Sequence, residues 1–290
     1  MPLRRLAPAK VNLFLHVGPL RGDGYHPVCS LATFADVGDA VSLEPAAQMA
    51  FEMVGRFASE LAGETNNLVM RARDLLLAER PDSRAFRLTL EKQLPIAAGL
   101  GGGSSDAAAA LQLVAATIGA GAPDLARVAR QLGADALMCL DAVPVLAEGR
   151  GDDLSSPPPF PDLPAVLVNP LQPSPTAAVY RAYDAAGVRG TARRPRFPSA
   201  FATVGDLADF LGDCRNDLEP PAVSLQPAIG HVLADLRGRP QTLLGRMSGS
   251  GATCFAICAD DARRDALARS VATEQAGWWV QPCTLSGVPG

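Results

Sequence analysis

Pro95-Ile96-Ala97-Ala98-Gly99-Leu100-Gly101-Gly102-Gly103-Ser104-Ser105-Asp106 is the stretch on which the reading of this chain turns. Four of the five residues 99–103 are glycine, which removes side-chain bulk and permits positive φ. Ahead of it, Phe86, Leu88 and Leu90 alternate with Arg87, Thr89 and Glu91, the period of a half-buried strand. Behind it, Ala107 to Ala110 and Leu111 favour helix, so a helix is expected from Asp106 to about Gly119. A strand, a glycine loop and a helix start together offer backbone N–H groups and a positive helix end to a phosphate. Neither familiar phosphate fingerprint fits. No Gly-Lys-Ser/Thr closes the loop. Dinucleotide spacing counted from Gly99 or Gly101 would need glycine where Ser104 or Asp106 stands. A hinge capped by Ser104 or Ser105 accounts for the loop equally well, so residues elsewhere must decide.

Composition narrows the classes. The 290 residues suffice for one large or two modest domains, and 48% hydrophobic against 19% charged residues suits a globular protein. A net charge of -4 gives no basic field that would recruit nucleic acid. No apolar run is long enough for a membrane span and no signal peptide is evident, so the expectation is a cytoplasmic protein with neither a nucleic-acid nor a membrane partner, monomeric or weakly dimeric. The six cysteines, 29, 139, 214, 254, 258 and 283, form no Cys-x-x-Cys pair and read as buried free thiols. Of 26 basic residues, only Lys10 and Lys92 are lysine. In an arginine-biased chain these two mark places where a compact ammonium serves and a guanidinium fork does not, although two lysines could also persist by chance.

Along the chain, Val11, Leu13, Leu15 and Val17 read as a strand that puts Lys10 and Asn12 on its other face, toward a polar ligand or toward solvent. Arg21 to Pro27 is a turn-rich loop ending in the rings of Tyr25 and His26. Residues 30–34 and 40–44 read as two strands joined by an Asp36-Val37-Gly38-Asp39 turn. Asn66 or Asn67 can cap a helix whose inner face carries Leu68, Ala72, Leu75 and Leu76. A second helix is expected over Asp124 to Leu132, with Asp135 just past its Gly133 stop. Proline-rich 155–175 suggests a boundary between domains 1–154 and 155–290. Beyond it come helices at about 176–185, 203–212 and 226–237, a strand at 242–247, the loop Ser248-Gly249-Ser250-Gly251-Ala252-Thr253, a strand at 254–258, a helix at 261–275 and a strand at 278–282. Strand, strand, helix, strand suits an antiparallel α+β layer.

Several motifs together resemble the GHMP kinases. Pro8-Ala9-Lys10-Val11-Asn12-Leu13 is similar to that family's N-terminal motif, the Pro95–Asp106 loop to its phosphate motif, and Gly249-Ser250-Gly251-Ala252 to its C-terminal motif. Asp23-Gly24-Tyr25-His26, Gly133-Ala134-Asp135 and Arg215-Asn216-Asp217-Leu218-Glu219 resemble the branch whose substrate is a cytidine diphosphate derivative of methylerythritol. Six motifs in order are less easily chance than one. The resemblance implies an α+β, two-domain GHMP kinase fold, with an N-terminal ribosomal-protein-S5-like domain and a C-terminal ferredoxin-like domain. It implies an ATP-dependent kinase of that branch's 2-hydroxyl, in isoprenoid precursor synthesis; a homoserine or mevalonate kinase is the alternative. It places ATP phosphates on Pro95, Ile96, Ala97, Ala98, Gly99, Leu100, Gly101, Gly102, Gly103, Ser104 and Ser105, and the adenine end near Asn66 and Lys92. Lys10 and Asp135 fall at the catalytic positions, and Asn12, Tyr25, His26, Thr176 and Tyr180 at substrate positions. Mg²⁺ is expected with ATP, with Ser105 its nearest protein neighbour. Two departures stand out. Ala136-Leu137-Met138-Cys139 replaces a family run that contains proline, and Ala97-Ala98 replaces glycines, at little cost if φ stays negative there.

Overall fold

A computed structural model describes residues 2–61, 63, 67–78, 85–187 and 190–288. The chain opens with two long strands, β1 (Leu3–Val17) and β2 (Val28–Pro45), then β3 (Ala50–Val54), α1 (Leu68–Leu77) and β4 (Phe86–Glu91). Three helices follow the glycine loop, α2 (Gly102–Ile118), α3 (Ala122–Leu132) and α4 (Ala134–Asp141). Next come β5 (Val145–Gly149), β6 (Asp153–Ser155), β7 (Leu163–Asn169), α5 (Thr176–Ala185), α6 (Val204–Gly212), α7 (Glu219–Leu225) and α8 (Pro227–Arg237). The chain closes with β8 (Thr242–Met247), β9 (Cys254–Cys258), α9 (Asp261–Glu274) and β10 (Trp279–Leu285).

By internal contacts the residues group into two compact units. The first comprises Met1–Ala9, Val37–Ile96 and Gly101–Ala142; the second comprises Lys10–Asp36, Ala97–Leu100 and Val143–Gly290. This grouping differs from a single cut at 154/155, because residues 10–36, 97–100 and 143–154 group with the later half. In the first unit, β4 pairs parallel with β3 and antiparallel with the 40–45 half of β2. Leu88 and Leu90 of β4 bury against Val69, Ala72 and Leu76 of α1 and the alanine-rich face of α2. Small alanines let α2 approach closely, and that burial stabilises by roughly 25 cal/mol per Å² of apolar surface. In the second unit, β7 pairs antiparallel with β9 and β10, and β9 with β8. The expected antiparallel layer is therefore present, and α8 and α9 bury Ile229, Leu233, Leu267 and Val271 on its core.

Residues 36–39 do not turn. They run inside β2, which is one strand from Val28 to Pro45. Asp and Gly favour turns because short polar side chains bond back to their own backbone. Here their side chains serve other strands: Asp36 Oδ1 accepts the N–H of Thr284 at 2.8 Å, and Asp39 pairs with Lys92. Gly38 is required because a Cβ there would overlap the carbonyl oxygen of Ala7. The α2 helix starts at Gly102 rather than Asp106, and α3 starts at Ala122, with Asp124 bonding back to the Gly121 N–H at 3.2 Å. The short elements β3, β6, α4 and α7 carry too few residues for a periodic signal.

Candidate active site

The glycine loop alternates handedness. Ala97, Gly99 and Gly101 have φ of +50°, +74° and +63°. Ala97 thus takes the left-handed conformation that its sequence gave no reason to expect, at a cost of about 1–2 kcal/mol. Residues alternating this way turn successive N–H groups to one side, a concavity that suits anions. Gly101 is the N-cap of α2 and makes no side-chain cap bond, so Gly102, Gly103 and Ser104 present the uncapped first turn of a helix. Ser105 is different: its hydroxyl donates to the Pro8 carbonyl at 2.7 Å and the residue is buried. That hydrogen bond ties the start of α2 to β1.

Three sequence-distant motifs converge inside the second unit. The Lys10 N–H donates to Leu100 O at 2.8 Å, and the Thr253 N–H to Ala98 O at 3.0 Å. Ser248 joins them, its hydroxyl donating to Gly99 O at 2.8 Å while accepting the Asn12 N–H at 3.1 Å. Lys10 and Asn12 are 6% and 7% exposed, so the solvent-facing reading of that strand face is wrong. Asn12 Nδ2 also donates to Ser30 Oγ at 2.7 Å. Asn216 holds the second glycine loop from behind, donating to Met247 O at 2.9 Å and Gly249 O at 2.8 Å. The neighbouring Asp217 and Glu219 accept the N–H groups of Val17 and Met247. The 215–219 motif is therefore a brace for β1 and the 248–253 loop. Arg246, 6% exposed, braces the same strand by donating to Leu13 O at 2.8 Å.

The second unit also gathers rings. His26 Nδ1 donates to Gly18 O at 2.8 Å, and its Nε2 lies 3.2 Å from Asp184. Its ring is 5.2 Å from Tyr180 and 5.6 Å from Tyr183. Thr176, one turn before Tyr180 on α5, shares a 2.8 Å hydrogen bond with Ser250 of the second glycine loop. Tyr25 is 56% exposed, and the Arg150 guanidinium covers its ring at 4.4 Å while pairing with Asp23 at 2.7 Å. The His26 ring meets Tyr180 tilted at 35° and Tyr183 edge-on at 79°. Asp184 and Arg150 carry no spacing signal in the sequence, because each is a lone charged residue.

In the first unit, Asp135 is half-buried in the first turn of α4, which packs on α2. Asp135 therefore opens a helix of its own rather than trailing the previous one. Lys92 is 3% exposed, and its ammonium is bonded to Asp39 and, at 2.8 Å, to Asp106. Burial pulls the lysine down, but the two carboxylate charges outweigh it and hold the ammonium above its ordinary range. The ammonium of Lys92 thus bonds two carboxylates at once. Both lysines of the chain are thus buried. Asn66 lies outside the described residues; its neighbour Asn67 caps α1 by accepting the Val69 N–H at 2.9 Å. All six cysteines are buried and free, as expected. Among the described residues, no group of three or more His, Cys, Asp or Glu could hold a metal, and no helix is long and apolar enough to cross a membrane.

Comparison with known proteins now places the chain. Residues 67–149 match the GHMP kinases N terminal domain and residues 199–276 the GHMP kinases C terminal domain. A 4-diphosphocytidyl-2-C-methyl-D-erythritol kinase of Caulobacter vibrioides is 52% identical over 290 residues, 99% of this chain and 100% of that protein. The chain belongs to the 4-diphosphocytidyl-2-C-methyl-D-erythritol kinase family. A Xanthobacter autotrophicus kinase of the same name is 45% identical over 98% of this chain and 99% of its own length. A crystal structure of 4-(cytidine 5'-diphospho)-2C-methyl-D-erythritol kinase superposes with a TM-score of 0.81 at 33% identity, covering 98% of this chain and 100% of that one. The homoserine kinase of Cytophaga hutchinsonii shares the fold, with a TM-score of 0.67 at 15% identity over 100% of this chain and 96% of its own. The fold of this family is thus the α+β GHMP kinase fold.

Proposed function

We propose that this protein transfers the γ-phosphoryl group of ATP to the 2-hydroxyl of 4-diphosphocytidyl-2-C-methyl-D-erythritol, a step in isoprenoid precursor synthesis. The observation that carries this reading is the junction of Lys10, Asn12, Ala98 to Leu100 and Ser248 by backbone and hydroxyl hydrogen bonds. A hinge has no need of three distant motifs bonded together; a phosphate seat beside a catalytic strand does. The backbone N–H groups of Pro95–Ser105 hold the triphosphate, aided by the start of α2. Asn66 contacts the adenine end. Tyr25, His26 and Tyr180 hold the cytosine by stacking and ring hydrogen bonds, and Thr176 and Asn12 contact the rest of the substrate.

Phosphoryl transfer asks for positioning and charge neutralisation more than covalent help. The substrate hydroxyl oxygen forms a bond to γ-phosphorus as the bond to the β-phosphate oxygen breaks, and the hydroxyl proton must leave. Asp135 takes that proton, or Lys10 lowers the hydroxyl's pKa while Asp135 orients it and the proton passes to an oxygen of the transferred phosphoryl group. Mg²⁺ bound with the triphosphate would supply charge neutralisation there, with Ser105 its nearest protein neighbour. ATP is made inside cells, which fits a cytoplasmic enzyme with a small-molecule substrate. The test is ATP turnover with the purified protein and this alcohol. Turnover coupled to its phosphorylation is expected, and turnover confined to homoserine or mevalonate would overturn the proposal.

A further inference from the structure

Asp39, Lys92 and Asp106 meet beneath the first turn of α2, with side chains 0%, 3% and 3% exposed. Asp39 is fully engaged: one oxygen takes the Lys92 ammonium, and the other accepts the N–H groups of Gln93 at 2.5 Å and Leu94 at 2.9 Å. It therefore holds the chain that enters the glycine loop. Through Lys92 it also holds Asp106, on the helix that leaves the loop. One carboxylate on β2 thus ties both ends of the loop.

The charges do not balance. Two carboxylates share one ammonium out of contact with water, and they lie within hydrogen-bonding reach of each other. Carboxylates that touch do not both ionise readily; one proton is shared between them. Asp39 accepts from three donors. Asp106 Oδ1 has no hydrogen-bond partner, so a charge there is poorly solvated. Burial raises Asp106 most, Lys92 opposes, and Asp39 raises it again, leaving it pushed up to about 8. Lys92 from the end of β4 and Asp39 from β2 are the charged groups that face it, and α1, α3 and α4, packed on α2, contribute none of the leading effects. Gly102 lies over the cluster: a Cβ there would stand 3.5 Å from Lys92 Nζ and 3.6 Å from an Asp39 oxygen. A surplus negative charge at that depth would repel an anion seated on the N–H groups above it.

We propose that Asp39, Lys92 and Asp106 are positioning residues for the nucleotide, and that Asp106 carries a proton while the loop holds phosphate, so that the cluster beneath it is neutral. The inference rests on the reading of the loop as the seat of the ATP phosphates. Nucleotide binding is then linked to protonation of Asp106, whereas binding of the alcohol is not.

The experiment measures KM for ATP and for the diphosphocytidyl alcohol, at saturating Mg²⁺, from about pH 7.5 to about pH 9.5, where ATP is already ionised. In the wild type, KM for ATP should rise about tenfold or more across that range, while KM for the alcohol stays level. In Asp106→Asn, whose amide mimics the protonated acid, the rise in KM for ATP should vanish. An Asp106→Asn profile that climbs as the wild type does, or a wild-type KM that is level, would overturn the inference. Should Asp106→Asn fail to fold, wild-type ATP binding by calorimetry in two buffers of different ionisation enthalpy at about pH 8.5 decides. Uptake of about one proton supports the inference and none overturns it. Gly102→Val separates the two readings. If it binds ATP as the wild type does, the loop is not the phosphate seat. If it loses ATP while the wild-type KM ignores pH, only the Asp106 inference fails.

Discussion

Gly99→Ala is the substitution whose effect follows most directly from the geometry. Gly99 has φ of +74°, and an added Cβ would overlap the carbonyl oxygen of Ser248 and lie 2.9 Å from that of Gly251. Two costs add. The left-handed conformation costs alanine about 1–2 kcal/mol. Forcing a methyl group against fixed backbone adds roughly 1–3 kcal/mol. Alanine's stiffer unfolded chain returns about 0.4–1 kcal/mol, so the net loss is about 2–4 kcal/mol. At roughly 2–4 °C per kcal/mol for a chain of this size, Tm should fall by about 4–16 °C. Gly187→Ala is the control: φ is +66°, but nothing lies within 4 Å of its added Cβ. It bears the backbone cost alone, about 1 kcal/mol after the same offset. Denaturant titration of both variants isolates the contact. Gly99→Ala should also raise KM for ATP at least about tenfold, since the 248–253 loop must draw back from the phosphate loop. Equal destabilisation by the two substitutions, or a Gly99→Ala protein with unchanged KM for ATP, would refute this reasoning.

Other outcomes follow from the same arrangement. Asp135→Asn should lower kcat by about 10²–10⁴-fold yet leave ATP affinity, measured by calorimetry, intact; unchanged kcat would remove Asp135 from the chemistry. His26→Ala should raise KM for the cytidylyl substrate about tenfold, having removed a ring between Gly18 and the tyrosines, and KM for ATP much less. Equal changes in both would argue against a cytosine site there. The buried Asp106 also links stability to pH. Its carboxyl is pushed up to about 8 in the folded protein and titrates near about 3.9 unfolded, so the folded form binds the extra proton. Its stabilising contribution is complete below about pH 3.9 and is lost as pH rises through about 8. Urea midpoints should therefore fall between about pH 6 and pH 9, with a shallower fall in Asp106→Asn; identical slopes would contradict this.

What was legible in the sequence depended on signal length. The β4–loop–α2 unit was readable because alternation, four glycines and an alanine run lie in one stretch. The α5, β8 and β9 spans were readable for the same reason, each being flanked by a proline, glycine or loop signal. The Asp36–Asp39 misreading has a physical origin: turn-forming residues were used here for cross-strand bonds, and only the partners Thr284 and Lys92 reveal it. Ala97 was misjudged because φ is set by the loop's alternation and not by the residue. The same limit applied to Lys92. Its rarity marked it as special, but its purpose lay in two aspartates 53 and 14 residues away along the chain. Ser105 likewise has a partner, the Pro8 carbonyl 97 residues away, that no local pattern shows. Local pattern located the loop and the candidate residues; their partners came from the fold.

One coupled assay of ADP release, run with 4-diphosphocytidyl-2-C-methyl-D-erythritol, homoserine and mevalonate in parallel, decides the substrate. ATP-dependent turnover is expected with the first, phosphorylated at its 2-hydroxyl, and none above background with the others. Turnover with homoserine or mevalonate and none with the cytidylyl alcohol would contradict it.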